Sequence, residues 1–105
     1  MNFKQLGANL GLEEDEYKEL IELFVESGGT DFEQLKKALA AGDADTVMRC
    51  AHTLKGASGN LGLEKISDVA RVIEESAMNN ELSQLDASVQ RLSSLIEVVR
   101  AFINN

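Results

Sequence analysis

The chain has 105 residues, 44% hydrophobic and 27% charged, with no proline and five aromatic side chains, a globular balance at the size of one domain spanning residues 1–105. Its formal net charge of -8 argues against nucleic acid and against an anionic membrane surface as partners, because both attract clustered Lys and Arg. No apolar run is long enough to span a bilayer, the opening MNFKQLG lacks the apolar stretch of a signal peptide, and a single cysteine, Cys50, rules out an intrachain disulfide and a cysteine-based metal cluster. A cytoplasmic location is expected on these grounds.

Leucine, alanine, glutamate and lysine are good helix formers and dominate the chain, which favours an all-α domain. A short helix is expected over residues 2–9, with Phe3 and Leu6 three apart and able to cap one end of a core. The next segment runs from Glu13 to Ser27, with Tyr17, Leu20, Ile21 and Phe24 on one stripe and acidic residues crowding its first turn. Gly28-Gly29 is expected to break or kink it, and Thr30 with Glu33 reads as a capping box that restarts a helix carrying Phe32, Leu35 and Leu39. Gly42 can close that helix and Asp43 can cap the next, which runs from Ala44 to Asn60 with Gly62 just beyond. A further helix over Leu63–Met78 has the stripe Ile66, Val69, Ala70, Ile73 and Ala77. The last is expected from Glu81, where Leu82, Leu85, Val89, Leu92, Ile96 and Val99 recur at three- and four-residue steps, widened by Leu95, Val98 and Phe102. Long amphipathic segments with short connections predict an antiparallel up-and-down four-helix bundle with a short extra N-terminal helix; an open helical array is the alternative.

The helix over Ala44–Asn60 carries His52, the only histidine. With His52 at zero on a helical wheel, Val47, Cys50, Ala51, Leu54, Ala57, Ser58 and Leu61 fall between about 140° and 260°, so the histidine lies opposite the core face. Asp45, Met48, Arg49, Lys55, Gly56 and Gly59 lie within about 60° of it. Two glycines on an exposed helical face cost about 2 kcal/mol relative to alanine. Gly56 and Gly59 therefore point to a surface that another molecule approaches closely. Lys55 stands one turn after His52 and Arg49 about one turn before it, where cations would stabilise a phosphoryl group on the ring. Imidazole suits that task, since its neutral, nucleophilic form is available near pH 7. A lone surface histidine is more often inert, and flanking cations are ordinary on an exposed face; the paired glycines carry most of the weight. Cys50, about 160° from His52, cannot form a nucleophilic pair with it and reads as a small buried hydrophobe. Met48 reads as apolar contact area and Ser58 as a core-facing, backbone-bonding residue.

The run Ala51-His52-Thr53-Leu54-Lys55-Gly56-Ala57-Ser58-Gly59-Asn60-Leu61-Gly62 resembles the signature of histidine-containing phosphotransfer (HPt) domains. His52, Leu54, Lys55, Gly56, Ser58, Leu61 and Gly62 match it, and Ala40-Ala41-Gly42-Asp43 resembles the family's turn before the active helix. The resemblance implies a phosphorelay intermediate of two-component signalling. His52 would take a phosphoryl group from a receiver-domain aspartate and pass it to another receiver, Lys55 would stabilise the phosphate, and Gly56 would let the receiver's active site dock. Glu74 stands 22 positions after His52, where the family often has Gln or another polar residue; ionised, it would hydrogen-bond a free imidazole N–H but repel a phosphate. Met48, Arg49, Gly56, Gly59 and Glu74 make up the expected partner-binding set.

No nucleotide-binding glycine loop, base positioned by a third group or metal constellation is present, so a phosphocarrier without independent turnover is expected. Mg²⁺ would belong to the receiver partner and no cofactor to this chain. The expected partners are response-regulator receiver domains and a hybrid sensor histidine kinase, with the chain itself monomeric. Its start at Met1 and its end in Asn104-Asn105 favour a free-standing protein. The competing reading is a helical interaction module that docks receivers or partner helices without carrying phosphate. A metal or haem bundle is poorly supported, because one histidine leaves too few ligands.

Overall fold

The computed structural model describes residues 1–104, which form five helices in the order α1 (Phe3–Asn9), α2 (Glu14–Ala41), α3 (Ala44–Asn60), α4 (Glu64–Met78) and α5 (Asp86–Ile103). Helices α2 to α5 form an up-and-down bundle in which α2 touches α3 and α5, and α4 packs against α3 and α5. The side chains of Gln34 and Tyr17 on α2 reach Cys50 and Leu61 of the following segment, and those of Glu74 and Ser67 on α4 reach His52 and Lys55. Each of these pairs therefore runs antiparallel. The expected architecture stands, and the open array does not.

Local signals set most helix ends. Asn2 caps α1 by accepting from the Gln5 N–H at 3.1 Å. The Glu13 N–H donates to the Glu16 carboxylate at 3.0 Å ahead of α2. Gly42, in the left-handed region at φ 73°, closes α2, and Asp43 caps α3 by accepting from the Thr46 N–H at 3.2 Å. Gly62, at φ 75°, turns the chain after α3.

Three expectations about where helices start and stop need correction. Gly28-Gly29 does not interrupt α2, which runs unbroken for 28 residues. Gly28 is buried against α3, and a Cβ there would stand 3.4 Å from Leu54 Cδ2. Its lack of a side chain serves helix packing, while burial of Phe24, Phe32 and Leu35 on the same helix offsets the propensity cost. Thr30 accordingly starts nothing: its hydroxyl donates back to the Glu26 carbonyl at 3.3 Å, inside the helix. The final helix begins at Asp86, not Glu81; Asn80 takes φ 58°, and Leu82 and Leu85 reach the core from the turn before the helix.

The core combines Tyr17, Ile21, Phe24, Phe32 and Leu35 of α2 with Val47, Cys50, Ala51 and Leu54 of α3. Ile66, Val69, Ala70, Ile73 and Ala77 of α4 complete it with Val89, Leu92, Ile96 and Val99 of α5. Leu20 and Val98, placed on core stripes from spacing, stand exposed on their helix flanks, and Leu39 is only half-buried. Helix α1 closes one end: Phe3 stacks on Phe102 at 4.1 Å between centroids, and Gly7 lies so close to Tyr17 that a Cβ would meet its side chain at 2.9 Å. Among the described residues no helix is long and apolar enough to cross a membrane.

Candidate functional site: an outward imidazole on helix α3

The α3 wheel is realised as read for Val47, Cys50, Ala51, Leu54 and Ser58, all buried, while Ala57 and Leu61 are half-buried at its edges. His52 sits midway along α3 with 68% of its side chain exposed. Its ring is nonetheless held. Nδ1–H donates to Glu74 Oε2 at 2.6 Å, across the α3–α4 interface. The other carboxylate oxygen, Oε1, accepts from Lys55 Nζ, also at 2.6 Å. One carboxylate thus joins the histidine and the lysine that share an exposed face of α3.

The protonation states follow from this geometry. The Lys55 ammonium, hydrogen-bonded to Glu74, holds its carboxyl below the usual carboxylate range; burial opposes the shift and the His52 ring adds to it. Glu74 is therefore ionised near neutral pH, and an ionised carboxylate only accepts hydrogen bonds. Nδ1 therefore carries a proton, and in the neutral form of this exposed ring the free lone pair is on Nε2.

Gly56, one turn after His52, has open space around it: a Cβ there would meet nothing within 4 Å. Gly59 is exposed but lies against α4, where a Cβ would stand 3.5 Å from Ser67 Oγ, so only Gly56 clears fully open ground beside the ring. Arg49 is exposed and turned toward the start of its helix, its Nη2 donating to Thr46 Oγ1 at 3.2 Å. Met48 is half-buried against the core. Glu74, expected on the partner-binding surface, is only 8% exposed and spends both oxygens inside the chain. Cys50 is buried as expected, and burial pushes its thiol pKa up. Among the described residues no group of acidic, cysteine and histidine side chains is arranged to hold a metal ion.

The bond of Glu74 to the imidazole is the one the sequence led us to expect; missed were its second bond, to Lys55, and the whole of Ser67, whose hydroxyl donates to the Lys55 carbonyl at 3.1 Å. Glu74 and Ser67 each follow a buried residue of α4, Ile73 and Ile66 respectively, and so stand at the edge of its apolar stripe. That position was a usable signal.

A bundle of this topology, with a single outward imidazole braced by the neighbouring helix, defines a class, and comparison with known proteins places the chain in it. The profile described as Hpt domain matches residues 19–102, and the chain belongs to that family. It is similar to the crystal structure of histidine-containing phosphotransfer protein B (HptB) from Pseudomonas aeruginosa PAO1. The identity is 32% and the TM-score 0.84, over 95% of this chain and 88% of that one. No curated protein sequence matches.

Proposed function

We propose that this chain is a phosphorelay intermediate of two-component signalling that accepts a phosphoryl group on Nε2 of His52 from a receiver-domain aspartyl phosphate and passes it to another receiver. One observation carries the reading: the Nδ1–H of an exposed ring is engaged by Glu74, so the nucleophilic nitrogen faces outward beside the open ground at Gly56. Attack of Nε2 on phosphorus breaks the acyl P–O bond, and its electron pair returns to the receiver's aspartate as carboxylate. The phosphorylated ring keeps its Nδ1 proton and carries a positive charge. Glu74 stabilises that charge, as a buried carboxylate does for an imidazolium in hydrolytic triads. Return of the phosphoryl group to a second aspartate restores the neutral ring, so neither direction requires a proton to move. Glu74 therefore lies on the Nδ1 side, away from the incoming phosphate, and Lys55 offsets its charge.

Lys55 is the cation within reach of a phosphoryl group, and Arg49, Met48 and Gly56 line the approach. The receiver would supply its own acidic pocket and Mg²⁺. The proposed partners are receiver domains and a hybrid sensor kinase. The test is transfer of labelled phosphate from a phosphorylated receiver to the wild-type chain and to His52→Gln. Acid-labile label on the wild type, with none on a His52→Gln variant of unchanged helicity, supports the reading. Full labelling of that variant removes His52 from the role; a wild type that takes no phosphate from any receiver points instead to a docking module.

A further inference from the structure

Two polar side chains of α4 tie it to the segment of α3 that carries the site, and only one of them touches the imidazole. Glu74 holds His52 and the Lys55 ammonium; Ser67, seven residues earlier on the same helix, donates its hydroxyl to the Lys55 carbonyl at 3.1 Å. On a wheel with Ile66 at zero, Ser67 and Glu74 fall at about 100° and 80°, one edge of α4 two turns apart. Helix α4 therefore grips Lys55 at both ends, main chain and ammonium. Between the two grips lies Ala70, fully buried, and opposite Ser67 lies Gly59. These small residues bring the two backbones close enough for a serine hydroxyl to reach a main-chain carbonyl directly.

The Ser67 bond is not needed to satisfy that carbonyl. The Lys55 oxygen lies inside α3, where the helix ladder supplies a donor; the Ser58 hydroxyl stands 3.2 Å away but gives its one proton to the Leu54 carbonyl at 2.6 Å. The ladder bond already satisfies that carbonyl, and its second lone pair is open to Ser67. What remains for the hydroxyl is to set where α4 stands along α3, and so where the Glu74 carboxylate meets Nδ1 of His52.

We propose that Ser67 is a positioning residue for phosphoryl transfer: by bonding the Lys55 carbonyl it sets the α4 register at which Glu74 holds His52 with its proton on Nδ1. This deepens the phosphocarrier reading and rests on it. The first test needs no phosphate. His52 is the only histidine, so its two ring nitrogens give one unambiguous pair of ¹⁵N signals in the intact chain. The wild type is expected to show the Nδ1–H tautomer as the main neutral form. Ser67→Ala is expected to raise the Nε2–H share several-fold, toward the spectrum of Glu74→Ala, with far-UV helicity and Tm close to wild type. Ser67→Thr, which keeps the hydroxyl, is expected to restore the wild-type spectrum. Labelling of His52 by the small donor phosphoramidate should fall several-fold in Ser67→Ala and recover in Ser67→Thr. An unchanged ring spectrum in Ser67→Ala overturns the proposal, as does one displaced equally in Ser67→Thr. Failure of the wild type to be labelled by any donor, with the tautomer shift still present, removes the phosphocarrier reading and leaves the positioning of the ring by Ser67 intact.

Discussion

At the scale of single residues the site is a charge balance among three side chains, with the Glu74 carboxylate between a half-buried ammonium and an imidazole. Its folded-state pKa is lowered, so its contribution to stability is fully present above the ordinary carboxylate value of about 4.3 and is lost as pH falls through the folded value. Urea unfolding followed from pH 7 down to pH values below about 4 should show a loss in the wild type that Glu74→Gln lacks. Equal loss in both proteins would mean that the carboxylate is not held as described. Lys55 faces the same carboxylate and, in the phosphorylated form, a group of close to two negative charges. Lys55→Ala should shorten the phosphohistidine lifetime about five-fold, equivalent to about 1 kcal/mol for a partly exposed ion pair. A chase of labelled protein in the absence of receiver measures it, and an unchanged half-life would assign the ammonium to Glu74 alone.

Helix by helix, the glycines divide into two kinds that spacing does not separate. Gly28 is buried where α2 crosses α3, with Leu54 and Phe24 around it, whereas Gly56 faces open space beside the imidazole. Both cost helix propensity, but the first gains packing and the second gains only access. Gly56→Leu should therefore stabilise the free protein by up to about 1 kcal/mol in thermal or urea unfolding. The same variant should slow receiver-dependent transfer at least about ten-fold, since i and i+4 side chains meet on a helix and the leucine would stand beside the ring. A transfer rate equal to wild type would show that no partner approaches over that position. The notch at Gly28-Gly29 illustrates the reverse error: two glycines read as a stop, yet the apolar residues on either side are buried on one continuous helix.

Across the whole molecule, α1 closes the end of the bundle at which α3 finishes. Tyr17 lies fully buried beneath Gly7 of α1, and its hydroxyl donates to the Leu61 carbonyl at 2.5 Å, just past the end of α3. It ties α1 and α2 to the turn after α3, 44 residues along the chain from Tyr17. Tyr17→Phe should lower stability by about 1 kcal/mol, the usual net worth of such a bond, while leaving phosphotransfer at His52 near the wild-type rate. A large loss of transfer in a well-folded Tyr17→Phe would mean that this end of the bundle communicates with the imidazole. The molecule is a post about 41 Å long and 22 Å across, with His52 presented on its side.

Periodicity is a local property, so the chain by itself determined the helices apart from the continuity of α2 through Gly28-Gly29 and the start of α5, most of each apolar stripe, and that His52 lies opposite the core stripe of α3. The signature around His52 also carried the family, because residue type and spacing along one helix need no knowledge of the neighbours. What the partner of an edge residue is depends on the distance and register between helices, and only the tertiary structure decided it. That is why Glu74, whose bond to the imidazole was expected, proved also to hold Lys55, why Ser67 went unread, and why Gly28 proved to be a packing glycine. In each case the deciding atom lies on another helix, dozens of bonds away along the chain and within a few ångströms in space.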